Sequence, residues 1–145
     1  MAVSCFQSLL ILLDGVLAGV FIGSSMVEHA VRTLAAPEWI AYRQAKEEVF
    51  GPVMPVAFGI ALLCTGAGVA LMPAHGALAV ATGLLGVVLL VTITVHIPLN
   101  RRFQAWELTD YAVTWDADRR RWRQWNLLRA GLMFCAFALV ATAIL

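Results

Sequence analysis

Four long apolar runs, separated by polar stretches of very unequal length, dominate the chain. A bilayer crossing needs roughly 20 mostly apolar residues, and each run is about that long. The first, Phe6 to Val27, is interrupted only by Asp14; the second, Pro52 to Met72, and the third, Ala77 to Asn100, carry no charge. The fourth, Leu127 to Leu145, contains a single charged residue, Arg129, near its start. The first run lacks the basic lead-in and small-residue cleavage site of a signal peptide, so it too reads as a span. The pattern predicts an all-α integral membrane four-helix bundle forming one domain over 1–145.

The connections set the topology. Only Pro73, Ala74, His75 and Gly76 separate the second and third spans, which predicts a tight hairpin. The long stretches, Glu28–Gly51 and Arg101–Asn126, fall on the opposite side of the membrane. Within the first, Glu38–Val49 sets Trp39, Tyr42 and Val49 against Arg43, Lys46, Glu47 and Glu48, the pattern of an amphipathic helix lying at the interface. All 10 Lys and Arg residues lie on this side, so the positive-inside rule puts both long loops in the cytoplasm of a plasma-membrane protein and both termini outside.

Composition narrows the functional classes. Hydrophobic residues make up 61% and charged residues 13%, against roughly 45–50% and 25% in soluble domains, and mean hydropathy is +0.84. A formal net charge of +1 offers no field that would seek nucleic acid. Cys5, Cys64 and Cys135 show no paired spacing and read as small apolar packers. No phosphate-binding loop, nucleophile elbow or dinucleotide fingerprint is present. Gly15, Gly19 and Gly23, with Gly83 and Gly86, predict faces on which helices approach closely. Asp14, costly at its depth, is expected either to be hydrogen-bonded in a helix interface or to take part in chemistry.

Candidate chemistry gathers at the charged end. The first span closes on Glu28-His29, and the third on His96-Ile97-Pro98-Leu99-Asn100, where Pro98 disfavours continued helix. Ahead of the fourth span, Asp116 or Asp118 is a plausible N-cap. Beyond it Trp122, Asn126 and Arg129 recur at i, i+4 and i+7, with Trp125 at i+3. Two indoles, an amide and a guanidinium on one helix face suit a flat aromatic ligand bearing an oxyanion. Each group also has a plainer reading. Trp106, Trp115 and Trp122 match an interfacial belt, a lone histidine there is commonly structural, and Arg119-Arg120-Arg121 suits anionic lipid.

These residues carry a resemblance. Phe50-Gly51-Pro52-Val53-Met54-Pro55, Ile97-Pro98-Leu99-Asn100, and Trp115 followed by Trp122-Arg123-Gln124-Trp125-Asn126-Leu127-Leu128-Arg129 are similar to segments of the anthrone oxygenase-like family of four-span membrane proteins, the domain of unknown function 1772 group. The resemblance implies oxidation of an anthrone to an anthraquinone with O₂ as co-substrate, in polyketide biosynthesis and with no cofactor expected. On that reading His29 or His96 is the base, Arg129 with Asn126 or Asn100 holds the oxyanion, and Trp122, Trp125 and Trp115 wall the rings. Two alternatives stay open. Glu28, His29 and His96 offer nitrogen and oxygen donors for copper or iron, although adjacent helical residues point about 100° apart. The chain is otherwise a non-catalytic membrane partner, or a carrier of a planar apolar molecule. Self-association into a homo-oligomer is compatible with any of these readings.

Overall fold

A computed structural model describes residues 2–73 and 75–144. Helix α1 (Ala2–Ala30) ends in a 3₁₀ turn, Val31–Thr33, and α2 (Ala36–Leu71) follows almost at once. Helix α3 (His75–Val91) runs through a π-helical turn, Thr92–His96, into α4 (Ile97–Gln104); α5 (Trp115–Ile144) closes the chain. Four helical stretches are long and apolar enough to cross a membrane. The protein is a multi-pass membrane protein with an all-α, four-helix bundle fold.

Three local features depart from the sequence reading. The supposed interfacial helix at 38–49 is not separate from the second span: both belong to α2, whose first turn accommodates Pro37 because the missing N–H is not needed there. At 1.5 Å per residue α2 is about 54 Å long, well beyond a hydrocarbon core of about 30 Å, so its first half extends past the membrane. Pro98 does not break the third helix. The wide π turn lies just before it, and the Thr92 and Thr94 hydroxyls donate to the carbonyls of Val88 and Leu90, local adjustments of the kind that let proline sit in a membrane helix. Finally, α5 begins at Trp115, so Asp116 and Asp118 lie in its first turn rather than capping it. Acids there still complement the helix dipole.

The helices pack in a ring in which α1 meets α5, α5 meets α3, α3 meets α2, and α2 meets α1. Leu10, Leu17, Phe58, Leu78, Leu85, Met133 and Val140 belong to the membrane-level core. A second cluster, including Trp39, Ile40, Leu99, Phe103 and Trp122, caps the charged end.

Helices α1 and α2 are tied at two heights. Thr65 Oγ1 donates to Asp14 Oδ2 at 3.0 Å, and Lys46 Nζ reaches Ser24 Oγ at 2.9 Å and Glu28 Oε1 at 3.0 Å. From Asp14 to the Ser24 and Glu28 that Lys46 bonds is about 15–21 Å of α1, whereas from Thr65 back to Lys46 is about 28 Å of α2. The reach of the long Lys46 side chain spans part of this difference. Pro52 and Pro55 lie in that stretch of α2, and they remove the backbone donors that would bind the carbonyls of Glu48 and Gly51.

The expected glycine ladder is only partly a packing face. A Cβ on Gly15 would meet the Phe137 ring at 3.1 Å, and one on Gly68 would meet Leu10 and Leu78 at 3.3 Å. Gly19, Gly23, Gly83 and Gly86 have no neighbour within 4 Å of such an atom. Helix α5 fills only the Gly15 notch, with Phe137, while Gly83 and Gly86 face out of the bundle. Gly15→Leu is accordingly expected to destabilise the bundle by about 1–3 kcal/mol through overpacking, and Gly83→Leu to leave it unchanged. Reversible unfolding in mixed micelles checks the pair.

Candidate functional site

Between the membrane-level core and the aromatic cap lies a cavity of about 930 Å³, near the upper end of the size range of small-molecule pockets. Phe21 and Gly23 of α1, Phe50, Met54 and Phe58 of α2, and Leu89 and Ile93 of the third helix make its walls apolar. Its polar groups collect at the charged end: Tyr42, Arg43, Lys46, Glu47, Thr92, His96, Asn100, Asn126 and Arg129. The irregular stretches of both flanking helices border it, Gly51 and Pro55 on α2 and the π turn on the third helix.

One side of the polar end is a closed network built on Arg43, which is 2% exposed. Its guanidinium stacks 3.9 Å from the Trp122 ring centroid and donates to Asn100 Oδ1 at 2.7 Å. It also pairs with Glu28 at 3.6 Å and Glu47 at 3.5 Å. Trp122 Nε1 donates to the same Asn100 oxygen at 2.8 Å, and Asn100 Nδ2 donates to Glu47 at 2.9 Å. Glu28 also accepts from Tyr42 at 3.2 Å and pairs with Lys46. Two carboxylates thus face two cations, so each buried charge has a partner, as burial demands.

Arg129 stands outside this balance. It is 8% exposed, and among the described residues no carboxylate lies within ion-pair distance of it. Nη1 donates to Thr92 Oγ1 at 3.0 Å and Nη2 to Asn126 Oδ1 at 2.8 Å, while Nε has no hydrogen-bond partner. Asn126 is held in turn by its donation to Ser25 Oγ at 2.9 Å. The guanidinium lies 4.9 Å from the Phe21 ring centroid. A buried cation held only by neutral groups at the wall of a cavity is a ready site for an anionic ligand. His96 is nearby on the cavity wall, 1% exposed, with its ring edge-on to Trp122 at 5.1 Å. Both ring nitrogens are buried beside the backbone of Val91 and Trp122, and neither makes a hydrogen bond of good geometry.

The structure brings His96, Asn100, Trp122, Asn126 and Arg129 to one cavity. It does not bring the other candidates there. The His29 side chain is exposed, because its neighbour Glu28 takes the inward position and the next residue on a helix points about 100° away. Trp125 is rotated about 60° from Trp122 on α5 and packs against the aromatic cap. Trp115 stacks near Trp39 and Tyr111 in that same cap, under the Arg119 guanidinium. Glu28, His29 and His96 do not converge; among the described residues no three His, Cys, Asp or Glu side chains are placed to share a metal ion. The charged half of α2 was not anticipated as part of the site. Its signal lies in Tyr42, Arg43, Lys46 and Glu47, which fall on adjoining faces of one helix opposite Glu28 near the end of α1.

Fold and site together define a four-helix membrane protein with a small-molecule cavity whose polar groups collect at one end. The family profile described as anthrone oxygenase matches residues 39–139, from the buried Trp39 of α2 to the last turns of α5. The chain belongs to the anthrone oxygenase family. Comparison with curated proteins and with solved structures found no match.

The Arg43 network makes a stability prediction. Arg43→Met removes one cation from a buried set and leaves Glu47 without an ion-pair partner. It is expected to cost about 3 kcal/mol, in the range for breaking one side of a buried ion pair. The loss is measured as a shift in the detergent unfolding midpoint.

Proposed function

We propose that the protein is a membrane oxygenase that converts a planar phenolic substrate of the anthrone type to the corresponding quinone with O₂, without a metal or organic cofactor. The observation that carries the reading is the uncompensated Arg129 guanidinium on the wall of an apolar cavity, in a chain of this family. An anthrone carries a ring carbonyl opposite an acidified methylene. Loss of one methylene proton makes an electron-rich anthrolate, with its negative charge largely on that oxygen. The carbanionic carbon gives its electron pair to O₂ and forms a C–O bond. Loss of the second C–H proton then cleaves the O–O bond. The CH₂ group and O₂ become C=O and H₂O, so all atoms and electrons are accounted for.

The geometry supports the following roles. Arg129, oriented by Asn126 and Thr92, holds the anthrolate oxygen, an interaction stronger with the anion than with the ketone and therefore catalytic. His96 accepts the methylene proton. Trp122, fixed by Arg43 and Asn100, forms a wall for the rings, and the apolar remainder of the cavity excludes water and admits O₂. Of the two histidines considered as base, only His96 faces this space. In the membrane, the charged end with the α1–α2 and α4–α5 connections is cytoplasmic and both termini lie outside, following the distribution of Lys and Arg.

Purified protein in lipid, stripped of metal and flavin, is expected to consume O₂ when given an anthrone and to release the anthraquinone. Arg129→Lys is expected to insert and fold normally yet turn over about tenfold to a thousandfold more slowly, because an ammonium lacks the planar fork of donors. Absence of O₂ uptake across anthrones and related hydroquinones by the folded protein contradicts the substrate class. Undiminished turnover in Arg129→Lys removes Arg129 from the mechanism.

A further inference from the structure

The cavity has a polar end sealed against water and apolar flanks that are not sealed. At the charged end Tyr42 and Lys46 bind Glu28, the Arg43 guanidinium covers Trp122, and the aromatic cap lies beyond. Toward the opposite face the next tie between α1 and α2 is the buried Thr65–Asp14 hydrogen bond. Between these ties Pro52 and Pro55 interrupt the backbone hydrogen bonding of α2. The two helices also touch less than any other neighbouring pair in the ring. Residues on both sides of this seam line the cavity and are exposed: Phe50 of α2 is 41% exposed, and Val27 of α1, level with the Lys46 tie, is 45% exposed. Ile93 and Ile97 of the third helix, on the other flank of α2, line the cavity and are exposed too, so the looser packing of α1 on α2 is what singles out this seam. Gly23 sits on the α1 side, lining the cavity, with no atom within 4 Å of where its Cβ would be. The outside of the bundle at this height is hydrocarbon or its boundary, not bulk water.

We propose that the cavity is loaded sideways from the bilayer through the seam between α1 and α2, with Gly23 as the gap that admits the ligand. The ligand class follows, resting on the functional reading above: a membrane-dissolved, amphiphilic aromatic whose oxygen-bearing edge enters first and is held at Arg129 and Asn126. Its apolar remainder trails along Val20, Val27 and Phe50 toward lipid. A glycine at residue 23 serves this route because any larger side chain there projects into open space between the helices. The same feature explains why the polar residues are concentrated deep in the site and the seam residues are apolar: a ligand arriving from lipid meets apolar surface first.

The test uses binding, so that it does not depend on turnover. A hydroxylated anthraquinone, fluorescent and inert to O₂, is dissolved in vesicles and mixed with the protein reconstituted in vesicles of the same lipid. Lateral loading predicts that the association rate follows the probe's mole fraction in the bilayer and is indifferent to the aqueous volume. Gly23→Leu is expected to slow association about tenfold or more, within the span over which on-rates of related complexes vary, with its unfolding midpoint unchanged. Gly83→Leu, which adds the same bulk on an outward face of α3, is expected to bind as wild type does. An association rate that tracks aqueous concentration overturns the route, as does unhindered entry in a folded Gly23→Leu variant. Slowing by Gly59→Leu, on the other flank of α2, with no slowing by Gly23→Leu, overturns the seam. If the probe loads laterally while anthrones are not oxidised, the oxygenase reading fails and the portal stands. If anthrones are oxidised while entry follows water, the reverse holds.

Discussion

A guanidinium buried at the edge of the hydrocarbon region, with no carboxylate at ion-pair distance among the described residues, is the constraint around which this structure is arranged. Arg129 satisfies two of its donors with Thr92 and Asn126 and keeps its charge beside a cavity. Both partners need support of their own. Thr92 is fixed by a hydrogen bond to the Val88 carbonyl, made where the helix widens into its π turn, and Asn126 is fixed by Ser25 of α1. One side chain thus engages three helices. Replacing it with a neutral residue would remove a large desolvation cost, so its presence points to a ligand that uses the charge.

The cavity is bordered by two helices that are tied together at two heights. The stretch of α2 between these ties contains Pro52 and Pro55, which remove backbone donors. Such irregular backbone is tolerated at membrane depth only where protein or a cavity covers it, and here a cavity does. The Arg43 network closes the space from above. It places four charged side chains from α1 and α2 in mutual contact and uses their hydrogen bonds to hold the Trp122 indole in place.

Much of this was legible in the chain itself. Span length and charge asymmetry are one-dimensional signals, and they carry the four helices and the charged end. The i, i+4, i+7 spacing of Trp122, Asn126 and Arg129 is also local, and all three reach the cavity. What could not be read depends on which way neighbouring helices turn. His29 and Glu28 are adjacent in sequence and differ only by rotation, and the partners that draw Glu28 inward, Arg43 and Lys46, lie in a segment that reads as a surface helix. Trp125 belongs to the conspicuous motif yet packs on the cap, because the rotation that aims Arg129 and Asn126 at the cavity turns it aside. Pro98 misleads for a related reason: alone it is a helix breaker, and only the preceding π turn lets the helix continue.

If Arg129 stabilises the oxyanion of a bound phenolic ligand, as proposed, the ionisation of such a ligand reports on it directly. A hydroxyanthraquinone changes colour when its phenol ionises, so its pKa can be read by absorbance while it is bound. Burial in an apolar cavity alone would raise that pKa, whereas a nearby unpaired cation lowers it. The bound phenol is expected to ionise at least about one pH unit below the same compound dissolved in protein-free vesicles, a difference of about 1.4 kcal/mol, and the lowering is expected to disappear in Arg129→Gln. A bound phenol whose pKa is unchanged or raised in the wild-type protein would contradict that proposal.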